Sequence, residues 1–161
     1  MAMLLAREGE TGAALRVERA TLQVTTGTCL EFVDVTDRIA ERVQALGISQ
    51  GIVNVQVRHT TAALVVNENE PLLLQDLRDA LERAAPRALA YRHDDFAVRT
   101  VNMGPGEVPN GHSHCKALFL RASETLNVAA GRLDLGRWQR VFLVELDGAR
   151  VRTVSLTTLG C

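Results

Sequence analysis

Hydrophobic positions along the chain fall into short runs of two different periods. From Val17 to Thr25, β-branched residues alternate with charged or polar ones (VERATLQVT), the pattern of a strand with one face buried. After Asp34 or Thr36, either of which can cap a helix, Ile39, Val43 and Leu46 recur at helical spacing and Gly47 follows as a stop. GIVNVQVR then returns to alternation, with Val53, Val55 and Val57 separated by Asn54 and Gln56. His59-Thr60-Thr61 interrupts this strand, and AALVV continues as a second, apolar one. Asn69 as cap and Pro71 in the first turn open a helix. Leu73, Leu74, Leu77 and Leu81 form its apolar stripe, and Pro86 closes it.

From Tyr91 to Gly111 periodicity is lost, and Gly104, Pro105, Gly106 and Pro109 punctuate the chain. Irregular segments of this length in compact domains tend to be functional, and Arg99–Pro109 is a candidate lid. HSHCKALFLRAS reads as a helix starting near Asn110, although its FL pair also allows a strand. TLNVAAGRLDLG, RVFLVELD and ARVRTVSLTTLG read as three closing strands, with turns at Gly131 and at Asp147-Gly148, the latter a two-residue hairpin signal. The expected class is α+β: a mostly antiparallel or mixed β-sheet sandwich with two to three helices. It forms a single domain over residues 16–161, behind a flexible leader at 1–15 that lacks periodicity.

Composition narrows the function. A length of 161 residues suits one domain and is too short for a (β/α)₈ barrel, which takes about 250. A net charge of −1 leaves no electrostatic footprint for nucleic acid or an anionic membrane surface. No apolar run approaches the ~20 residues of a membrane helix, and MAMLLAREGE lacks the basic start of a secretory signal. Cys29, Cys115 and Cys161 are odd in number and widely spaced, which points to the cytoplasm rather than to a disulfide framework.

The candidate chemistry lies with the histidines. His59 opens HTTA, His93 lies in YRHDD, and His112 and His114 form HSH between Asn110 and Lys116, the chain's single lysine. Imidazoles from three separate segments, His59, His93 and His114, with an open position, would suit a divalent metal such as zinc. Glu68, Glu70, Asp94 and Asp95 are the carboxylates that could ligate it or orient the rings. On a helix His112 and His114 face roughly opposite sides, and His114 is the preferred one. Serine-hydrolase, P-loop and dinucleotide motifs do not occur. Cys115 as a nucleophile ranks below Cys115 as a small buried hydrophobe. Trp138 is expected in the core or at a subunit interface.

HTTAALVVNENE, YRHDD, NGHSHCKALFL and the run from Ser123 through GRWQRVFLVELDG together resemble the YjbQ family of small cytoplasmic proteins, over roughly Val17 to Gly160. The resemblance departs at Arg137, where the family commonly has Thr, and at His112, where a small or acidic residue is common. It implies a YjbQ-like α+β fold assembled as a homotrimer with sites near subunit boundaries. The activity it implies is that of a secondary thiamine-phosphate synthase, in which a hydroxymethylpyrimidine diphosphate meets a thiazole phosphate and pyrophosphate leaves. Carried over residue by residue, the family's site motifs fall on His59, Thr60 and Thr61, on Asn67 and Glu68, on His93, and on Asn110 and His114. Charge gathering on the leaving group calls for a divalent ion or cations such as Lys116, Arg58 or Arg92, with backbone N–H groups after Asn110. Two alternatives stand beside this: a non-catalytic trimer that binds a metal or anion, and a metal-dependent hydrolase.

Overall fold

A computed structural model describes residues 14–161, so most of the leader expected over 1–15 lies outside the described residues. Strand β1 (Arg16–Thr25) is followed by β2 (Glu31–Asp34), α1 (Thr36–Leu46), β3 (Gly51–Val57), β4 (Ala62–Asn67) and α2 (Pro71–Ala84). A 3-10 turn (Arg92–Asp94) and α3 (Gly111–Ala117) come next, then β5 (Ser123–Ala129), β6 (Arg132–Leu133), β7 (Arg140–Glu145) and β8 (Val151–Gly160). Five strands pair antiparallel in the order β1-β8-β3-β5-β6, and three more in the order β2-β7-β4. The α+β sandwich with three helices is therefore the observed class.

The inward residues of the larger sheet (Val53, Val55, Val57, Val154, Leu156) meet Leu64, Val141 and Leu143 of the smaller one, with Ile39 and Val43 of α1 joining them. A second cluster lies on the other face of the smaller sheet, where Ala63, Phe142 and Val144 meet Leu81 of α2. The run VFLV of β7 is thus continuously apolar because both of its faces are covered. The stripe of α2 is only half-buried at Leu73, Leu74 and Leu77.

Three local expectations need correction. Asn69 does not cap α2; Glu70 does, its carboxylate accepting the N–H groups of Leu72 (3.0 Å) and Leu73 (2.7 Å). Asp147-Gly148 is not a two-residue hairpin turn, because β7 and β8 belong to different sheets and the chain crosses between them there. Of the two places expected for Trp138, the core is excluded: it is 59% exposed in this chain, with the Arg137 guanidinium 4.5 Å above its ring.

A buried ion pair controls that crossing. Glu145 on β7 is fully buried and Arg152 on β8 nearly so, and they meet as a fork, Nε to Oε2 at 2.6 Å and Nη2 to Oε1. Thr26 Oγ1 (2.9 Å) and the Asp147 N–H (2.9 Å) donate to the same carboxylate. Burial alone would push the Glu145 carboxyl up, but Arg152 and these donors hold it below its ordinary range. Arg152→Met leaves a buried, unpaired carboxylate and is expected to cost about 3–5 kcal/mol. That corresponds to a fall in Tm of about 6–20 °C for a chain of this size. Thermal melts followed by circular dichroism check this, and Arg152→Met combined with Glu145→Leu should recover most of the loss.

Candidate functional site

The site takes shape around the short helix α3. Asp94 Oδ1 accepts the backbone N–H groups of both Asn110 and Gly111, each at 2.8 Å, so a carboxylate from the 3-10 turn closes the start of the helix. Tyr91 packs so closely against Gly111 that an added Cβ would lie 2.5 Å from its Cβ, which is why the position is glycine. Together these contacts hold the YRHDD segment against α3, and the ring of His93 meets that of His114 edge-on, with centroids 4.6 Å apart. Arg99 ties the following loop to the same place through Glu107 (2.7 Å), the Asn102 carbonyl (2.7 Å) and the His93 carbonyl (3.4 Å).

Among the described residues three buried side-chain atoms lack a hydrogen-bond partner: His93 Nε2, Asn110 Oδ1 and His112 Nε2. All three residues lie on α3, at its start or on the turn packed against it. Beside the helix opens a cleft of about 500 Å³ bounded by Arg87, Asp94, Pro109, His112, Asp147 and Arg150, so of the three it is His112 that lines it. Asp147 is buried, pairs with Arg150 at 2.5 Å and accepts from Asn110 Nδ2 at 3.5 Å. Because its N–H bonds Glu145, the ion pair between the sheets also sets the floor of this cleft.

The other residues expected at the site lie apart from it. His59 is spliced into the larger sheet, its Nε2 accepting the Thr153 N–H at 2.9 Å. Thr61 is buried and accepts Arg152 Nη2 on both its hydroxyl (3.1 Å) and its carbonyl (3.2 Å), while Thr60 is exposed. Asn67 accepts the Glu68 N–H (2.9 Å) at the end of β4. Arg58, Arg92 and Asp95 are exposed.

Two expectations about anion contacts are overturned. Lys116 is fully buried and its ammonium is spent on the Ala85 carbonyl (2.6 Å), Glu82 (2.9 Å) and His112 Nδ1 (3.4 Å). The first N–H groups of α3 are taken by Asp94 rather than left for a phosphate.

A divalent metal is tested by the same geometry. Within one chain His93 and His114 stand together, but His59 does not join them, and its Nε2 lone pair is already engaged. Among the described residues no three His, Cys, Asp or Glu side chains converge as a metal site. The residues of one chain do not fit the ion, and no chemical step is assigned to it.

Sequence reasoning missed Arg87, Glu145, Asp147, Arg150 and Arg152. Two of them were detectable: Arg152 has the inward parity of Val154 and Leu156, and Glu145 continues the covered run of β7. A charge at an inward position signals a buried partner.

Burial pulls the imidazoles of His59, His112 and His114 below their ordinary value of 6.5. The next contributions come from Arg152 at His59, Lys116 at His112 and His93 at His114. The folded chain refuses protons that the unfolded chain accepts, so stability is full above pH 6.5 and falls as pH drops through 6.5 toward the depressed values. Denaturant midpoints should decline from about pH 7.5 to about pH 5.5, on either side of the ordinary imidazole value, and His112→Gln should flatten the slope; a level profile would contradict this. Gly111→Ala should lower stability by about 1–3 kcal/mol through the clash with Tyr91, readable in the same melts.

Comparison with known proteins agrees with the fold. The family model described as UPF0047 protein YjbQ-like matches residues 20–161. A UPF0047 protein of Methanothermobacter thermautotrophicus is 35% identical over 149 residues, covering 92% of this chain and 96% of the relative. A YbjQ-like protein of unknown function from Sulfolobus solfataricus P2 superposes with a TM-score of 0.81 at 33% identity, over 92% of this chain and 100% of that one. A hypothetical protein from Aeropyrum pernix K1 gives 0.79 at 35% identity, over 89% and 99%. Among the described residues no helix is long and apolar enough to cross a membrane. With a family model matched over residues 20–161 and relatives and solved structures that cover nearly its whole length, the chain belongs to the YjbQ-like UPF0047 family.

Proposed function

We propose that this chain binds a small phosphorylated molecule beside α3, and that its reaction is the transfer implied by the family resemblance. In that transfer the thiazole nitrogen attacks the methylene carbon of hydroxymethylpyrimidine diphosphate, the C–O bond breaks, and pyrophosphate leaves with the electron pair. The observation that carries the reading is the buried, unpartnered Nε2 of His112 on the wall of the cleft, beside the Arg87 guanidinium. Native proteins leave few such atoms, and a phosphate oxygen in the cleft would supply the partner that His112 lacks.

The attacking nitrogen needs no deprotonation, which suits a site whose His112 and His114 rings are held neutral. Arg87 on the cleft wall takes the role that Lys116 cannot, meeting the charge that collects on the leaving group. A second reading, binding without turnover, is favoured by the cleft itself: its wall carries Arg87, Arg150 and His112 and no Phe, Tyr or Trp on which a ring could stack, so it is better matched to phosphate than to a ring.

Assembly belongs to the same proposal. Leu118 is 83% and Phe119 62% exposed, beside an apolar groove of about 280 Å³ that includes Phe32, Leu77 and Leu81. Covering such a surface favours a homotrimer or another closed set of copies. A divalent ion, zinc included, enters only as a group shared between copies. Purified protein incubated with both precursors should yield thiamine phosphate, and His114→Ala should reduce it at least about tenfold. Product-free incubation with the precursors, alongside intact phosphate binding, would discard the transfer and leave the binding reading. Mass in solution and metal content, measured on the same sample, test the assembly and the shared ion.

A further inference from the structure

His112 carries an arrangement that the reaction above does not require. It is 3% exposed, lines the cleft, and its Nε2 has no partner among the described residues. Its Nδ1 faces two groups, Lys116 Nζ at 3.4 Å and Ser113 Oγ at 3.2 Å. The Ser113 hydroxyl proton is already given to the Leu146 carbonyl at 2.6 Å, so Ser113 could only accept from the ring. Lys116 can only donate. An ammonium is a full positive charge inside a low-dielectric interior, so a lone pair on Nδ1 facing it is favoured over an N–H. The single proton of the neutral ring then sits on Nε2.

We infer that His112 is a ligand-binding residue that donates Nε2–H to a phosphate oxygen in the cleft, and that Lys116 is the positioning residue that places the proton there. One oxygen of each carboxylate at the cleft is engaged: Asp94 Oδ1 with the start of α3, and Asp147 Oδ2 with Arg150 and Asn110. What the cleft offers a guest is the buried Nε2–H together with the Arg87 guanidinium, a donor set for an oxyanion. Lys116 acts at one remove: its charge stays behind the ring, where it orients a neutral donor instead of touching the ligand. The inference rests on the phosphate-binding reading and deepens it by assigning the donor.

The test is nitrogen-15 NMR of histidine-labelled full-length protein, with inorganic phosphate and then pyrophosphate as probes. The free protein should show His112 in the Nε2–H tautomer, and phosphate should shift that N–H resonance. His112→Ala should weaken phosphate binding at least about tenfold, the effect of losing a hydrogen bond to a charged group. His112→Gln, whose amide N–H reaches the same point, should recover most of it. Lys116→Met should convert His112 to the Nδ1–H tautomer bonded to Ser113 and weaken phosphate similarly, an effect that lost packing alone would not produce.

A wild-type ring protonated on Nδ1 overturns the inference, as does an Nε2–H resonance that phosphate leaves unmoved. The wild-type spectrum decides this even where the Lys116 variant fails to fold. Phosphate that shifts the His93 and His114 resonances but not that of His112 would retain the binding reading and discard this donor, whereas no shift at any of the three would discard both.

Discussion

The fork between Glu145 and Arg152 is the constraint on which the rest of the molecule depends. It is the point where β7 of the smaller sheet is joined to β8 of the larger one, and both partners are buried. An ion pair taken out of water gives back little net stability unless its remaining hydrogen-bonding capacity is filled. Here that capacity is filled by Thr26, Thr61 and the Asp147 N–H, so each partner is held by several elements at once. The pair specifies where the chain crosses between sheets.

From this crossing the order passes outward to the candidate site. Asp147, fixed by its N–H to Glu145, reaches Asn110 and Arg150 and so forms the base of the cleft beside α3. On the opposite side Asp94 closes the start of α3 and Gly111 admits Tyr91, which sets His93 against His114. A seven-residue helix has little stability of its own. It is held here by carboxylates and carbonyls of its neighbours, including the Ala85 carbonyl that receives Lys116. Fixed side chains around a short, externally supported helix are what a binding site needs, since the geometry costs the ligand nothing to organise.

The histidines divide into two chemical situations. His59 has its Nε2 built into the larger sheet through the Thr153 N–H, and serves the backbone ladder. His93 and His112, on the segments around α3, each retain a buried ring nitrogen with no partner among the described residues. Residue type alone made these rings equivalent candidates. Their hydrogen-bond surroundings separate a structural ring from rings open to a guest.

The linear pattern determined the elements, because side-chain period is a local property. Alternation in GIVNVQV, the Leu stripe of 73–81 and the glycine stops each report which face meets the interior. The motif sequence also carried the family, and the polar clusters pointed to His59, His93 and His114 as site residues. Only the tertiary structure decided which clusters meet. Asp147-Gly148 looks like a hairpin locally, yet the chain there changes sheets, because Glu145 and Arg152 pair across the gap. Lys116 looks like a surface cation until the end of α2 covers it and Glu82 and Ala85 claim its protons. Partner choice for a charge or a lone pair depends on segments distant in sequence, which periodicity does not encode.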